Sequence, residues 1–296
     1  MNTRCGTAAI AGRPNVGKST LLNRLIGQKL SITAHKPQTT RHSILGIHTE
    51  GRDQVVYVDT PGIHVNGKSA LNQVLNRTAS SSLFDVDVIL FLVQAMVWSD
   101  DDQRAWEMVC RADVPFYIVI NKVDKVTKKS QLLPFLAKLP SHEKLKDVMI
   151  ISAKNGSGVD ALTDNVKKHL PQAAWMFDED DLTDRSSKFL AAEAVREPLT
   201  RLLTDELPYS LTVEIEQFSE TPGLYRIGAV IWVEKQSQKG IVIGKGGARL
   251  KEVGSRARES LQKLFGVKIH LELWVRVKDG WADDERALRS LGFDQE

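Results

Sequence analysis

The stretch GRPNVGKST, residues 12–20, constrains this chain more than any other. Gly12 and Gly17 are separated by four residues and followed by Lys18 and Ser19, the pattern G-x-x-x-x-G-K-S. It stands after the apolar run TAAIAG and before STLLNRLIG, whose leucines share one helical face. Strand, glycine-rich loop and helix form the context in which the pattern has meaning. The two glycines permit backbone conformations that a Cβ forbids, so N–H groups can converge on phosphate oxygens. The helix that follows points its positive end at the same anion. The loop Gly12-Arg13-Pro14-Asn15-Val16-Gly17-Lys18-Ser19-Thr20 therefore reads as a phosphate cradle, with Lys18 on the outer phosphates and the Ser19 hydroxyl on Mg2+. The bland alternative is a glycine turn that caps a helix.

Three more short motifs follow apolar strands. In NKVD, residues 121–124, the Asp124 carboxylate can accept from the ring N–H and the exocyclic amine of guanine, a pair that adenine lacks. Asn121 is expected to tie this loop to the phosphate loop, and the Lys122 stem to lie against the base. In DTPG, Asp59 is expected to hold Mg2+ through water and the Gly62 N–H to sense the γ-phosphate, with Thr60 and Pro61 between them. In SAK, the backbone of Ser152, Ala153 and Lys154 is expected at the guanine oxygen. Alone, each motif is weak. All four fall at strand C-termini, where open α/β sheets bind ligands. PQTTR lies between the first helix and the next strand read here, DQVVYVDTPG. Thr39 or Thr40 closes over the metal in this reading, with Thr40 favoured. The expected ligands are GTP or GDP with Mg2+.

The strand-like runs DQVVYVDTPG, VDVILFLVQA, PFYIVINKVD and DVMIISAK alternate with helix-length segments up to NVKKHLPQ. That pattern predicts an α/β domain with a mostly parallel sheet covered on both faces, over residues 1–172. The acidic stretch 173–188 reads as a linker. From 189 to 296 the order changes to helix, strand, strand, helix, strand, which predicts a smaller α+β domain. A net charge of +3 over 296 residues hides the distribution. Residues 235–278 hold 11 Lys/Arg against 3 Asp/Glu, and residues 173–234 hold 5 against 13. Two cysteines far apart give no disulfide framework and fit a reducing cytosol. No signal peptide or membrane span is read.

Within the basic block, IVIGKGG combines an apolar run read as a strand, the loop Gly244-Lys245-Gly246-Gly247 and a helix. Such a glycine loop brings backbone and one lysine against the sugar-phosphate of unpaired nucleotides. Leu250, Val253, Ala257, Leu261 and Leu264 give that helix a core face. Arg249, Lys251, Arg256 and Arg258 lie elsewhere and surround the loop with positive charge. With Ile243 they complete the candidate RNA-binding set. A solvated basic helix is the bland alternative. His35, His42 and His48 are read as surface residues of a loop without metal-ligand spacing. The six tryptophans are read as core or interface, Cys110 as a buried helix thiol, and WADDERALRSLGF as a short closing helix.

The four nucleotide motifs resemble the Era/TrmE branch of Ras-like GTPases, and the G-x-x-G segment resembles a type II KH domain. Together they are similar to the Era family over nearly the whole chain. That resemblance implies a bacterial GTPase that binds 16S ribosomal RNA near its 3′ end and assists assembly of the small ribosomal subunit. It implies a cytoplasmic monomer with some peripheral association with the inner membrane. It also implies that Asn15 helps bind a potassium ion that assists hydrolysis, although Asn15 reads equally well as a loop-stabilising amide. Ile63 stands where Ras-type proteins carry the glutamine that orients water, so unaided hydrolysis is expected to be slow.

Overall fold

The computed structural model describes residues 3–34, 36, 39–60, 83, 85–204, 207–208 and 210–281. Pro61, Gly62, Ile63 and His35 lie outside them, as does the predicted closing helix beyond Trp281. The described chain divides into two compact units.

The first unit is built on a six-stranded sheet. Its strands are β1 (Arg4–Ala11), β2 (Ile44–Glu50), β3 (Asp53–Asp59), β4 (Val88–Gln94), β5 (Phe116–Asn121) and β6 (Leu145–Ile150), in the spatial order β2-β3-β1-β4-β5-β6. All neighbours are parallel except β2, which runs antiparallel to β3. The helices are α1 (Lys18–Ile26), α2 (Asp100–Arg111), α3 (Leu132–Leu136) and α4 (Val159–Lys167). β3 and β5 are buried at every position, as a sheet covered on both faces requires. Phe91, Trp98, Trp106 and Phe116 interlock in the core, with Trp106 edge-on to Phe116 at 5.4 Å.

Three sequence expectations need correction here. β2 was not anticipated, because ILGIHTE has a glycine in its middle and a partly exposed outer half. That glycine is needed: a Cβ on Gly46 would stand 2.6 Å from Leu22 of α1. His48 consequently lies on a strand, beside Glu50 at 3.8 Å, and not on a loop. Cys110 is only partly buried, since α2 is amphipathic and its last turn reaches the unit's surface.

Residues 173–184, part of the stretch 173–188 read as a linker, run as a strap along the first unit. Ala173 N donates to Thr3 O, and Met176 N and Phe177 N both donate to Gln54 Oε1 (2.9 and 3.1 Å). Ile47 N donates to Leu182 O, so the strap covers part of the β2 edge. A buried glutamine that satisfies two backbone donors leaves no hydrophobic signature, so acidic composition dominated the sequence reading.

The second unit contains α5 (Ser187–Leu202), β7 (Leu211–Thr221), β8 (Leu224–Val233), α6 (Gln236–Ile243), α7 (Ala248–Phe265) and β9 (Lys268–Val277). β7 and β8 form an antiparallel hairpin, and β9 joins β8 in parallel. A parallel neighbour needs a crossover, which α6 and α7 supply. Val195, Leu199, Leu211, Ile231, Val242, Val253 and Ala257 fill the core between sheet and helices.

The run IVI, read as a strand, is instead the last turn of α6. Gln238 Oε1 accepts from Glu234 N (2.9 Å) and Lys235 N (3.0 Å), which starts a helix just before the apolar triplet. Val242 is fully buried while Ile241 is 49% exposed, a helical division of the triplet. Three β-branched residues in succession favour a strand locally, and tertiary packing overrides that preference.

α5 also carries a buried charged cluster. Arg196 pairs with Glu193 (2.6 Å) and donates to Thr39 O, and Glu197 accepts from Thr33 N at 3.2 Å and from Arg201 at 2.8 Å. The segment Ile32–Thr39 belongs to this second unit.

Candidate nucleotide and RNA sites

The phosphate loop leaves the end of β1 where the sheet order reverses, the position at which open α/β sheets bind ligands. Gly12 has φ +140°, and a Cβ there would meet Leu92 O at 2.5 Å; Gly17 has φ +106°, and a Cβ would meet Asn121 Nδ2 at 2.4 Å. Each glycine is required twice over, by conformation and by space. Between them Asn15 takes a left-handed φ of 62°, and Val16 is buried.

Asn121 joins three of the predicted loops. Its Nδ2 donates to Val16 O (2.8 Å), and its Oδ1 accepts from Lys122 N (2.7 Å) and Ala153 N (2.9 Å). Lys122 Nζ donates to Asn15 O and to Gln94 Oε1 (3.0 Å). Asp124 Oδ1 accepts from the buried Ser152 hydroxyl at 2.7 Å, which aims the exposed carboxylate. Arg24 of α1 donates to Lys154 O (2.5 Å) and Ala153 O (3.3 Å) and so fixes the SAK loop. Arg24 and Gln94 were missed from the sequence, because neither belongs to a motif. A basic residue in the last turn of α1 was the sole available signal, and helix termini commonly carry one.

At the metal end, Ser19 Oγ and Thr40 Oγ1 share a hydrogen bond of 2.8 Å. The Thr39 hydroxyl turns to Lys36 O at 2.6 Å, so of the two candidates Thr40 stands at the cradle. Asp59 is fully buried; its Oδ2 accepts from Ser31 Oγ (3.0 Å), while its Oδ1 has no hydrogen-bond partner among the described residues. Burial pushes the Asp59 carboxyl up, against the pull of Lys18, Ser19, Ser31 and Thr40. An orphaned buried carboxylate oxygen beside two hydroxyls is an all-oxygen donor set that fits Mg2+. The Thr60 hydroxyl is directed elsewhere, to Ile10 O at 3.1 Å.

Lys18 is buried and donates to Gly12 O (2.9 Å) and Arg13 O (3.1 Å). Burial lowers its pKa from 10.5 to about 8; Asp59 opposes the shift and Arg13 adds to it. The unfolded chain then binds more protons than the folded one between those values, so ligand-free stability rises with pH across that window. Below it the full burial cost applies, about 3 kcal/mol. A bound phosphate supplies the missing counter-charge and restores the proton. Nucleotide affinity should therefore decline as pH rises past about 8, with proton uptake on binding. Calorimetric titrations at alkaline pH in two buffers of different ionisation enthalpy check this; identical heats would contradict it.

In the second unit, Gly244 (φ 74°), Gly246 (φ 59°) and Gly247 (φ 78°) all take left-handed conformations between α6 and α7. A Cβ on Gly244 would stand 2.8 Å from Arg249 Cβ, whereas one on Gly246 or Gly247 would meet nothing within 4 Å. The loop's centre therefore opens outward. Lys245, Lys251 and Arg258 are exposed. Arg249 donates to Ile241 O, which ties α7 to the end of α6, and Arg256 pairs with Glu252 at 2.6 Å. Of the residues named from the sequence, Ile243, Gly244, Lys245, Gly246 and Gly247 come together at this loop. Arg256 lies more than two turns along α7. Among the described residues no group of three His, Cys, Asp or Glu could hold a metal ion.

Comparison with known proteins identifies both units. Residues 7–122 match the family model described as 50S ribosome-binding GTPase, and residues 206–282 match the KH domain model. GTPase Era of Yersinia pestis (strain Pestoides F) is 53% identical over 292 residues, covering 98% of this chain and 96% of the relative. GTPase Era of Yersinia pseudotuberculosis (strain IP 31758) matches equally. Among solved structures, a variant of Aquifex aeolicus Era bound to GDP and AlF4- has a TM-score of 0.94 at 37% identity, covering 99% of this chain and 100% of that one. Era in complex with MgGDPNP and nucleotides 1506–1542 of 16S ribosomal RNA has the same score, identity and coverage. With an α/β nucleotide unit, a KH unit and 53% identity to the two Yersinia relatives over 98% of its length, the chain belongs to the Era family of GTPases.

Proposed function

We propose that this GTPase is a nucleotide-controlled switch that binds 16S ribosomal RNA near its 3′ end through the loop Gly244–Gly247 and assists assembly of the small ribosomal subunit. The observation that carries the reading is the pairing, in one chain, of three nucleotide loops and Asp59, gathered at the carboxyl ends of one sheet's strands, with a glycine loop that opens outward among exposed cations. The relative crystallised with 16S nucleotides supports the choice of RNA.

In this reading the phosphate-loop amides and the start of α1 hold the phosphates, and Lys18 exchanges its carbonyl partners for the outer phosphate oxygens. Asp124, aimed by Ser152, accepts from guanine, and Asn121 keeps the three loops in register. Ser19, Thr40 and Asp59 would hold Mg2+, which supplies charge neutralisation at the phosphates. Asn15 would serve a potassium ion. Thr39, one residue before Thr40, is held within the second unit by Arg196. Gly62 and Ile63, assigned to γ-phosphate sensing and to slow unaided hydrolysis, lie outside the described residues. No helix among the described residues is long and apolar enough to cross a membrane; a cytoplasmic monomer with peripheral membrane association is the arrangement proposed.

The test is to titrate a fragment of the 16S 3′ end in the presence of a GTP analogue or GDP. Single-turnover hydrolysis is followed alongside, with and without potassium and RNA. Different RNA affinities in the two nucleotide states are expected. Equal affinities would remove the switch, because a ligand without differential affinity shifts no equilibrium. Hydrolysis indifferent to potassium would remove the Asn15 assignment.

A further inference from the structure

We infer that Asp102 is a positioning residue for the phosphate loop, acting through Arg13. The inference rests on the reading of residues 12–19 as the phosphate cradle.

Asp102 is the third residue of α2 and is 0% exposed. Part of its surroundings is ordinary helix capping: Ser99 N (2.9 Å) and Ser99 Oγ (2.7 Å) donate to Asp102 Oδ2, and Asp102 N donates to Ser99 Oγ (3.3 Å). A cap needs neither full burial nor a cation. Yet Arg13 Nε lies 3.0 Å from Asp102 Oδ1 and 2.9 Å from Oδ2. Of the three acidic residues in the first turn of α2, Asp102 alone is buried.

The consequence lies in what Arg13 does next. Its carbonyl and that of Gly12 are the two acceptors that hold Lys18 Nζ. The second half of the loop is pinned by Asn121 at Val16 O and by the burial of Val16. The first half contains Gly12, which is free to rotate, and Pro14, which has no N–H. Arg13 carries the one long side chain in that half, and its anchor is a carboxylate fixed at the start of a helix. The two halves are thus held from opposite sides, by Asn121 and by Asp102, and a loop fixed before its ligand arrives loses less entropy on binding.

The experiment measures GDP dissociation constants of the full chain by displacement of a fluorescent GDP analogue. The proteins are wild type, Asp102→Asn, Arg13→Gln, the double variant and Ser99→Ala, with melting followed in parallel. Each single variant in the pair should weaken GDP about tenfold, equivalent to about 1.4 kcal/mol. The double variant should lose no more than either single, because both remove one interaction. Ser99→Ala should lower the melting temperature and leave GDP affinity in place. A double variant with multiplied losses, an Asp102→Asn protein that binds GDP normally, or a Ser99→Ala protein that loses as much as Asp102→Asn would each overturn the inference. Should Asp102→Asn fail to fold, Arg13→Gln, whose side chain is 18% exposed, decides the matter: unchanged GDP affinity refutes it. Failure of the wild type to bind GDP would remove the phosphate-cradle reading instead.

Discussion

Asp124→Asn should exchange the base preference of this GTPase from guanine to xanthine. The carboxylate is exposed, and the Ser152 hydroxyl holds its Oδ1 at 2.7 Å. Both oxygens are acceptors, which matches the ring N–H and the exocyclic amine of guanine. An asparagine presents one acceptor and one donor, so its amide faces the guanine amine donor to donor. Xanthine keeps the ring N–H and replaces the amine by an oxygen, which restores the match. Two hydrogen bonds to a charged group are at stake, about 3–6 kcal/mol together, or about two to four orders of magnitude in affinity. Adenine should remain excluded in the wild type, because its ring nitrogen at this edge is itself an acceptor and would face a carboxylate oxygen. Competition of GTP, XTP and ATP for the site in the two proteins measures the outcome. An unaltered ratio of GTP to XTP affinity would mean that the base does not lie on Asp124.

The nucleotide site was legible in the sequence because its chemistry is local. Each loop carries its own donors or acceptors within three to nine residues, and each follows an apolar strand that announces where the loop must stand. Glycines 12 and 17 illustrate this. Their necessity, in φ and in the 2.5 Å and 2.4 Å approaches of Leu92 and Asn121, follows from a motif readable without coordinates. The residues that steady the loops were not legible. Arg24, Gln94 and Asp102 act across 130, 28 and 89 positions of sequence, and nothing near them in sequence distinguishes them from other polar residues. WSDDD does signal a helix start, but not which of its aspartates would be buried or what cation would meet it.

The misread elements share one cause. β2 and the end of α6 are places where packing overrules local preference. In β2 a glycine normally disfavoured in a strand lets α1 approach. In α6 a β-branched triplet is held helical by a glutamine that caps the turn before it. The order of the second unit therefore differs from the sequence reading by one helix. That helix matters for function, because the glycine loop is then suspended between two helix ends. Gly244 ends α6, and Arg249, in the first turn of α7, donates back to Ile241 O. A loop fixed at both ends can hold its outward face ready.

Gly246→Asp should abolish most RNA binding and leave the nucleotide site unaffected. The position has φ 59° and nothing within 4 Å of an added Cβ, and aspartate tolerates this region better than most residues. The fold should therefore survive at a cost of about 1 kcal/mol. The new carboxylate would occupy the space into which a sugar-phosphate must come, next to Lys245. Gly244→Asp is the less informative variant, since its Cβ would collide with Arg249 at 2.8 Å and disturb α7 itself. The cations divide in the same way. Lys245 is exposed on the loop, so Lys245→Ala should weaken binding to every single strand and flatten the salt dependence by about 0.7 in the log–log slope. Arg256, paired with Glu252 at 2.6 Å, should matter less, because its charge is already partly balanced. Filter binding of a single-stranded fragment from the 16S 3′ end, across a series of salt concentrations and with GDP affinity measured on the same samples, separates the cases. If Gly246→Asp binds the fragment as wild type does, or if wild-type binding ignores salt, the RNA does not lie on this loop.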